Sequence, residues 1–437
     1  MNFIVIGGGA AGMSAASKAK RSDPSLSVTV LESGKYVSYA ECGIPYLIQG
    51  IVPEAASLLH YPLAEFTVKR GIDVQIGTKV ETIDRKEKTL ILQDGRRLKY
   101  DKLLISTGAT ANVPLGKNCR NVFGIRTLES GEYAKNITEK YNDIVIVGDG
   151  VLGLELASAL HERGKHVTLV SKHSRILQKL DDDIGAHVHK EFSSVIKVMA
   201  GTSVTDISEK ADGRLSVETS TGTIETEVVI FAVGITPNVD LAREAGIDLF
   251  NDRAILVNRS MQTSDPDIYA AGDVATTTDL VTGNTDWQPL AQVANKMGRV
   301  AGSNVAGKPM EFPGSIGTTL VKILDLEVGF TGLNGRELAR KGIDFRETMV
   351  KAKSKAAYYP GAEDVYVKIL ISKKDDRILG GQIVSKDAGA WRLNALAMAI
   401  QGGFTVEDLF YGDLGYSPPF GPVWDPIIIT ASISMRD

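Results

Sequence analysis

The sequence predicts an α/β protein made of two wound βαβ units and a C-terminal α+β unit. Three observations carry that prediction. An apolar strand, a glycine turn and a helix follow one another twice, over Asn2–Gly12 and Asp143–Gly153. Each copy leads into a second apolar strand that closes a βαβ unit. From about Pro313 the texture changes to an alternating β pattern, as in Val365-Tyr366-Val367-Lys368-Ile369-Leu370-Ile371.

In chain order, Asn2–Ile6 reads as a buried parallel strand, because its apolar run is continuous rather than alternating. Gly7-Gly8-Gly9-Ala10-Ala11-Gly12 follows, and Ala11–Ala19 reads as a helix rich in small residues. Ser27–Leu31 is the next strand and ends at Glu32. Leu103–Ala109 reads as a strand running into a glycine turn. Asp143–Val147 then leads into Gly148-Asp149-Gly150-Val151-Leu152-Gly153, a helix through Leu160 and the strand Val167–Val170. Val228–Gly234 is another strand with a glycine end, followed by Ile235-Thr236-Pro237-Asn238. Asp267–Val274 is a short apolar strand ending in an acidic turn, and helices follow at Leu393–Gln401 and Val406–Phe410.

The 437 residues allow two or three domains with a large core, and 43% hydrophobic with 23% charged residues is ordinary for a globular protein. A net charge of −4 speaks against a nucleic-acid binder. Two cysteines, Cys42 and Cys119, exclude a disulfide-built secreted scaffold and fit a reducing, cytoplasmic setting. No apolar run approaches the roughly 18 residues of a membrane helix, and Phe3–Ile6 is too short for a signal peptide.

One glycine turn is a weak signal, but two in strand–turn–helix–strand context predict two Rossmann-like dinucleotide-binding domains. In the first, Gly7, Gly9, Ala11 and Gly12 shape the turn that brings backbone to a pyrophosphate at a helix N-terminus. Glu32 can accept from both ribose hydroxyls and would repel a 2′-phosphate. Gly148, Gly150 and Gly153 repeat the device, but Val170 leads into Ser171-Lys172-His173-Ser174-Arg175 with no carboxylate. Cationic side chains there suit a 2′-phosphate, so NADPH is expected over NADH, with Lys172 and His173 as binding candidates.

The two glycine turns, Thr107-Gly108-Ala109, Gly234–Asn238 and Gly272-Asp273 together resemble the two-dinucleotide-binding flavoproteins of the pyridine nucleotide–disulfide oxidoreductase family. The resemblance spans the whole chain. It implies FAD in the first site with Asp273 on its ribityl chain, NAD(P)H in the second, and a C-terminal α+β dimerisation domain. By the same resemblance Ser33, Val80, Thr107, Gly108 and Gly234 complete the cofactor-binding candidates, and Glu155 lines a nicotinamide pocket. The expected division is residues 1–112 with 239–312 for FAD, 113–238 for NAD(P)H, and 313–437 for dimerisation.

Cys42 lies in Ser38-Tyr39-Ala40-Glu41-Cys42-Gly43-Ile44-Pro45-Tyr46, ten residues past Glu32. Many relatives carry a second cysteine five positions on, where this chain has Leu47. A lone sulfur cannot store two electrons as an internal disulfide. It must cycle as a mixed disulfide, a persulfide or a sulfenic acid. A helix start just after Cys42 is expected to depress its pKa and favour the thiolate. The pattern resembles the coenzyme A-disulfide reductase branch, which also holds NAD(P)H oxidases, peroxidases and per- or polysulfide reductases. Oxidases and peroxidases of the branch typically place a histidine in the first glycine turn, where this chain has Ala10. That tilts the expectation toward a sulfur substrate.

By the same resemblance, Ala357-Tyr358-Tyr359-Pro360-Gly361 and Gly415-Tyr416-Ser417-Pro418-Pro419 supply Tyr358 and Tyr416 as phenols that reach across a homodimer toward the sulfur of the opposite subunit. Arg21 and Ser38 match positions that hold coenzyme A, and Arg70 adds positive potential. Glu41, Trp424 and Asn295 depart from the branch pattern, and Glu41 would oppose a thiolate at Cys42 unless it points away. The expected activity is FAD-dependent, NAD(P)H-driven reduction of coenzyme A disulfide, coenzyme A persulfide or polysulfide through Cys42. The alternative is an NAD(P)H oxidase that reduces oxygen through a sulfenic acid.

Overall fold

A computed structural model describes residues 1–435. Two five-stranded parallel sheets repeat one topology. In the first, the strands lie in the order Ile268–Ala270, Lys102–Ile105, Asn2–Ile6, Ser27–Leu31, Asp73–Gln75. In the second, the order is Val122–Gly124, Val228–Phe231, Asp143–Val147, His166–Val170, Lys197–Met199. Residues Phe3 to Ile6 and Ile144 to Val147 are all buried, as strands covered on both faces must be. Each sheet carries an antiparallel three-stranded meander, 80–99 beside the first and 204–226 beside the second. The pair Ala109–Ala111 and Ile235–Pro237 links the two units.

The first helix runs Ala10–Ser22, longer at both ends than the small-residue stretch predicts. Its small residues serve a close crossing with the helix Ala291–Val305. A Cβ on Gly298 would lie 2.1 Å from the Ala11 carbonyl oxygen, and one on Gly302 would lie 2.2 Å from that of Ala15.

The C-terminal region is an antiparallel five-stranded sheet in the order Thr319–Ile323, Leu326–Gly332, Ile378–Ser385, Asp364–Ser372, Phe345–Lys353. Helices Leu393–Gly402, Val406–Phe410 and Pro426–Ser434 pack with it. The sheet is tied to the second unit by Lys368, 2% exposed, whose ammonium lies 2.9 Å from Asp183, 3.0 Å from Glu347 and 3.4 Å from Asp181. Among the described residues, no helix is long and apolar enough to cross a membrane.

Candidate active site

The first glycine turn is built for close backbone approach. Gly7 has φ +100°, and a Cβ there would sit 2.2 Å from the Ser106 carbonyl oxygen. A Cβ on Gly12 would lie 1.9 Å from the Gly7 oxygen, whereas one on Gly9 meets nothing within 4 Å. Gly9 precedes the first helix, whose first-turn N–H groups have no side-chain cap. Thr107 binds the Asn238 carbonyl at 2.8 Å, and Gly108 adopts φ +64° beside further open space. Glu32 accepts from the Gly8 N–H at 2.7 Å and the Gly34 N–H at 2.6 Å, with Ser33 at 3.4 Å. Val80 is buried in its strand. Open space at Gly9, uncapped N–H groups and a carboxylate at the strand end fit an adenine dinucleotide without a 2′-phosphate.

The second turn repeats the first. Gly148 has φ +119°, a Cβ on it would lie 2.3 Å from the Ala232 oxygen, a Cβ on Gly153 would lie 2.1 Å from the Gly148 oxygen, and Gly150 faces open space. Gly234, at φ +96°, turns the chain at the end of the neighbouring strand. Of the cations expected to await a 2′-phosphate, Arg175 is committed to Asp182 at 2.6 Å and to the Leu180 carbonyl at 3.1 Å. The His173 ring lies 3.0 Å from Asp149, and Lys172 is exposed.

Cys42 sits in a tight turn, Glu41–Gly43, directly ahead of the helix Ile44–Gln49. A Cβ on Gly43 would lie 2.3 Å from Leu58 Cδ2, so glycine is what lets this turn pack down. The Cys42 thiol is open to solvent, and Leu47, at the position of a partner sulfur, is buried. Cys119 lies elsewhere, half-buried, 3.7 Å from the Ile207 carbonyl.

The expected depression of the Cys42 pKa is overturned. The crowding of protein around the thiol raises it, Glu155 and Glu41 add to the rise, and Arg126 opposes it. The following helix has only six residues, and its dipole is outweighed by desolvation first and by the neighbouring carboxylates second. Glu155, on the second unit's helix Val151–Glu162, acts on both Cys42 and Tyr46, and burial alone lifts its own pKa to about 7.

Glu41 does not stand unopposed. Its carboxylate pairs with Arg126 at 2.8 Å, and Arg126 also binds Asp273 and the Ala109 carbonyl. Arg126 thus joins the turn of Cys42 to the acidic turn after Gly272. No sequence motif singles out Arg126, which stands just before a capped helix, Leu128–Lys140.

The two tyrosine motifs come together at the protein surface. The Ala356 N–H binds the Pro418 carbonyl at 3.3 Å, and the neighbouring Tyr358 phenol raises the Tyr416 pKa. Tyr358 is 77% exposed and Tyr416 48%. The charged groups acting most on Cys42 are Glu155, Glu41, Arg126 and Asp273. Trp391, Phe420 and Trp424 are exposed in the same C-terminal region.

Arg21 is exposed in the last turn of the first helix. Arg70 binds Ser17 Oγ at 2.9 Å, one helical turn before Arg21, and stacks on Tyr61 and Phe66 at 4.7 and 4.8 Å. Ser38, at φ 53°, donates its N–H to the Gly8 carbonyl at 2.9 Å, which places it against the first glycine turn.

A family model described as pyridine nucleotide-disulphide oxidoreductase matches residues 1–298, and that family's dimerisation domain matches residues 318–426. The NAD(P)H sulfur oxidoreductase (CoA-dependent) of Pyrococcus abyssi is 40% identical, over 98% of this chain and 97% of its own. The NAD(P)H coenzyme A polysulfide/persulfide reductase of Pyrococcus horikoshii is 39% identical, again over 98% and 97%. Among solved structures, an NAD-dependent persulfide reductase from A. fulgidus aligns with a TM-score of 0.96 at 36% identity, covering all of this chain and 83% of its own.

Proposed function

This chain belongs to the pyridine nucleotide-disulphide oxidoreductases, and on that premise we propose that it reduces coenzyme A-linked sulfur (a disulfide, persulfide or polysulfide) with electrons from NAD(P)H. In this reading residues 1–112 with 239–312 hold FAD, residues 113–238 hold the nicotinamide nucleotide, and residues 313–437 form a homodimer; the last two residues lie outside the described ones. The observation that carries the reading is a solvent-open thiol, Cys42, beside Glu155 of the second unit and Asp273 of the first, with leucine where a paired sulfur would stand.

Bound FAD would supply two-electron transfer between a nicotinamide and a sulfur–sulfur bond. Gly7, Gly9, Gly12 and the uncapped helix N–H groups would hold its pyrophosphate, Glu32 its ribose, and Asp273 its ribityl chain. Arg21, Ser38 and Arg70 line the approach for the phosphates of coenzyme A. The Cys42 thiolate attacks one substrate sulfur and forms a mixed disulfide, while the other sulfur leaves as a thiolate. Tyr416, beside Tyr358, gives that leaving sulfur a proton across the dimer. Two electrons originating in NAD(P)H then cleave the mixed disulfide, restore the Cys42 thiolate and release the second thiol. Arg126 keeps Glu41 and Asp273 paired during this cycle and offsets part of the opposition that the carboxylates Glu155, Glu41 and Asp273 offer the thiolate.

Cys42→Ser tests the reading. Turnover of coenzyme A disulfide should fall at least ~1,000-fold with flavin content unchanged. Retained disulfide reduction would overturn it, and oxygen consumption outpacing disulfide reduction in the unaltered enzyme would favour the oxidase alternative.

A further inference from the structure

The two βαβ units can be superposed residue by residue through their backbone hydrogen bonds. Gly7 donates to Leu31 at 2.8 Å, and Gly148 donates to Val170 at 2.9 Å. Ile6 pairs with Leu31 and Val147 with Val170 in the same parallel register. Gly8 therefore corresponds to Asp149, and Glu32 corresponds to Ser171. In the first unit the carboxylate stands at the strand end and reaches back to the Gly8 N–H at 2.7 Å. In the second unit the carboxylate stands in the turn and reaches forward, accepting from the strand-end Ser171 hydroxyl at 2.8 Å. The two partners have exchanged places, and the negative charge stays in the corner between turn and strand end.

That corner is not the cationic site its sequence suggests. Asp149 is 9% exposed, so its charge is little screened by water. His173 Nδ1 lies 3.0 and 3.2 Å from its two oxygens. Arg175 turns away to Asp182 and to the Leu180 and Ile176 carbonyls, and packs so closely on Gly185 that a Cβ there would lie 1.8 Å from its nitrogen. Lys172 is left as the exposed cation of the three. A 2′-phosphate would meet a buried carboxylate, whereas a 2′-hydroxyl could donate to it.

We propose that Asp149 sets the nucleotide preference of the second site, in favour of the form with a free 2′-hydroxyl, NAD(H), over NADP(H). The proposal rests on the reading that residues 113–238 bind the nicotinamide nucleotide. The test is calorimetric titration of the flavin-loaded dimer with NAD⁺ and with NADP⁺, for the unaltered protein, Asp149→Asn and Lys172→Ala. The unaltered protein should bind NAD⁺ at least tenfold more tightly. The near-isosteric Asp149→Asn should move the affinity ratio at least tenfold toward NADP⁺, with flavin content and melting temperature unchanged. Lys172→Ala should change the ratio less than threefold. Tighter binding of NADP⁺ by the unaltered protein, or a ratio in Asp149→Asn within twofold of the starting one, overturns the proposal. Failure of both nucleotides to bind overturns the underlying reading as well, which separates the two failures.

Discussion

Cys42 works against its surroundings. Partial desolvation by the protein packed around it and the carboxylates of Glu155, Glu41 and Asp273 hold its thiol above the ordinary range, and Arg126, paired with Glu41, recovers part of that. Glu155 has the largest effect of the three carboxylates, and its own burial holds its pKa at about 7 against an ordinary 4.5. A carboxyl whose folded pKa is raised destabilises the fold wherever the unfolded chain is ionised first. The cost is absent well below pH 4.5, grows between pH 4.5 and 7, and is constant above. Glu155→Gln should therefore leave stability near pH 4 unchanged and raise it by up to about 3 kcal/mol at pH 8, read as denaturation midpoints across that range. A pH-independent difference would contradict it. The same variant should move the alkylation midpoint of Cys42 to lower pH. Cys42 and Glu32 were legible in the sequence because local motifs carry them. Arg126 and Asp149 were not: the first acts through contacts 85 and 147 residues distant, with Glu41 and Asp273, and the second is recognised by comparison of two three-dimensional turns.

At the scale of elements, the strands and glycine turns were legible because continuous apolar runs end abruptly at glycine, as at Ile6-Gly7 and Val147-Gly148. The partner of the first helix was not. Ala291–Val305 has no motif, and its Gly298 and Gly302 acquire meaning from the carbonyls of Ala11 and Ala15 on another element. That crossing carries the helix whose N-terminus faces the flavin site. Gly302→Ala puts a methyl against backbone that cannot rotate away, and should cost about 1–3 kcal/mol of stability with loss of bound flavin. Thermal melting with and without added FAD checks this. An unchanged melting temperature would show that the two helices separate cheaply.

For the whole molecule, the sheets of three regions are held by specific polar ties as well as apolar cores. Lys368 with Asp181, Asp183 and Glu347 joins the second unit to the C-terminal sheet, and the buried Lys368 ammonium would be left uncompensated if its carboxylates were removed. The exposed Tyr358–Tyr416 pair and neighbouring aromatics give the C-terminal region a surface suited to a second copy. Its role there could be read from the tyrosine motifs, but the geometry of a shared site depends on symmetry that a single sequence does not express. Hybrid dimers test it. Subunits carrying Cys42→Ser mixed with subunits carrying Tyr416→Phe place one intact Cys42 opposite one intact Tyr416 in each hybrid. Random mixing should restore about a quarter of unaltered activity, more than either parent variant alone. No recovery above the mean of the parents would mean that each subunit completes its own site.

The central claim is that one unpaired thiol carries the substrate sulfur. Intact-protein and peptide mass spectrometry of the oxidised holoenzyme, before and after one equivalent of NAD(P)H, measures it directly. Cys42 should carry coenzyme A or extra sulfur after exposure to substrate, and should lose that mass on reduction. An unmodified Cys42, or one bearing oxygen alone, in enzyme still turning over a disulfide would contradict the account.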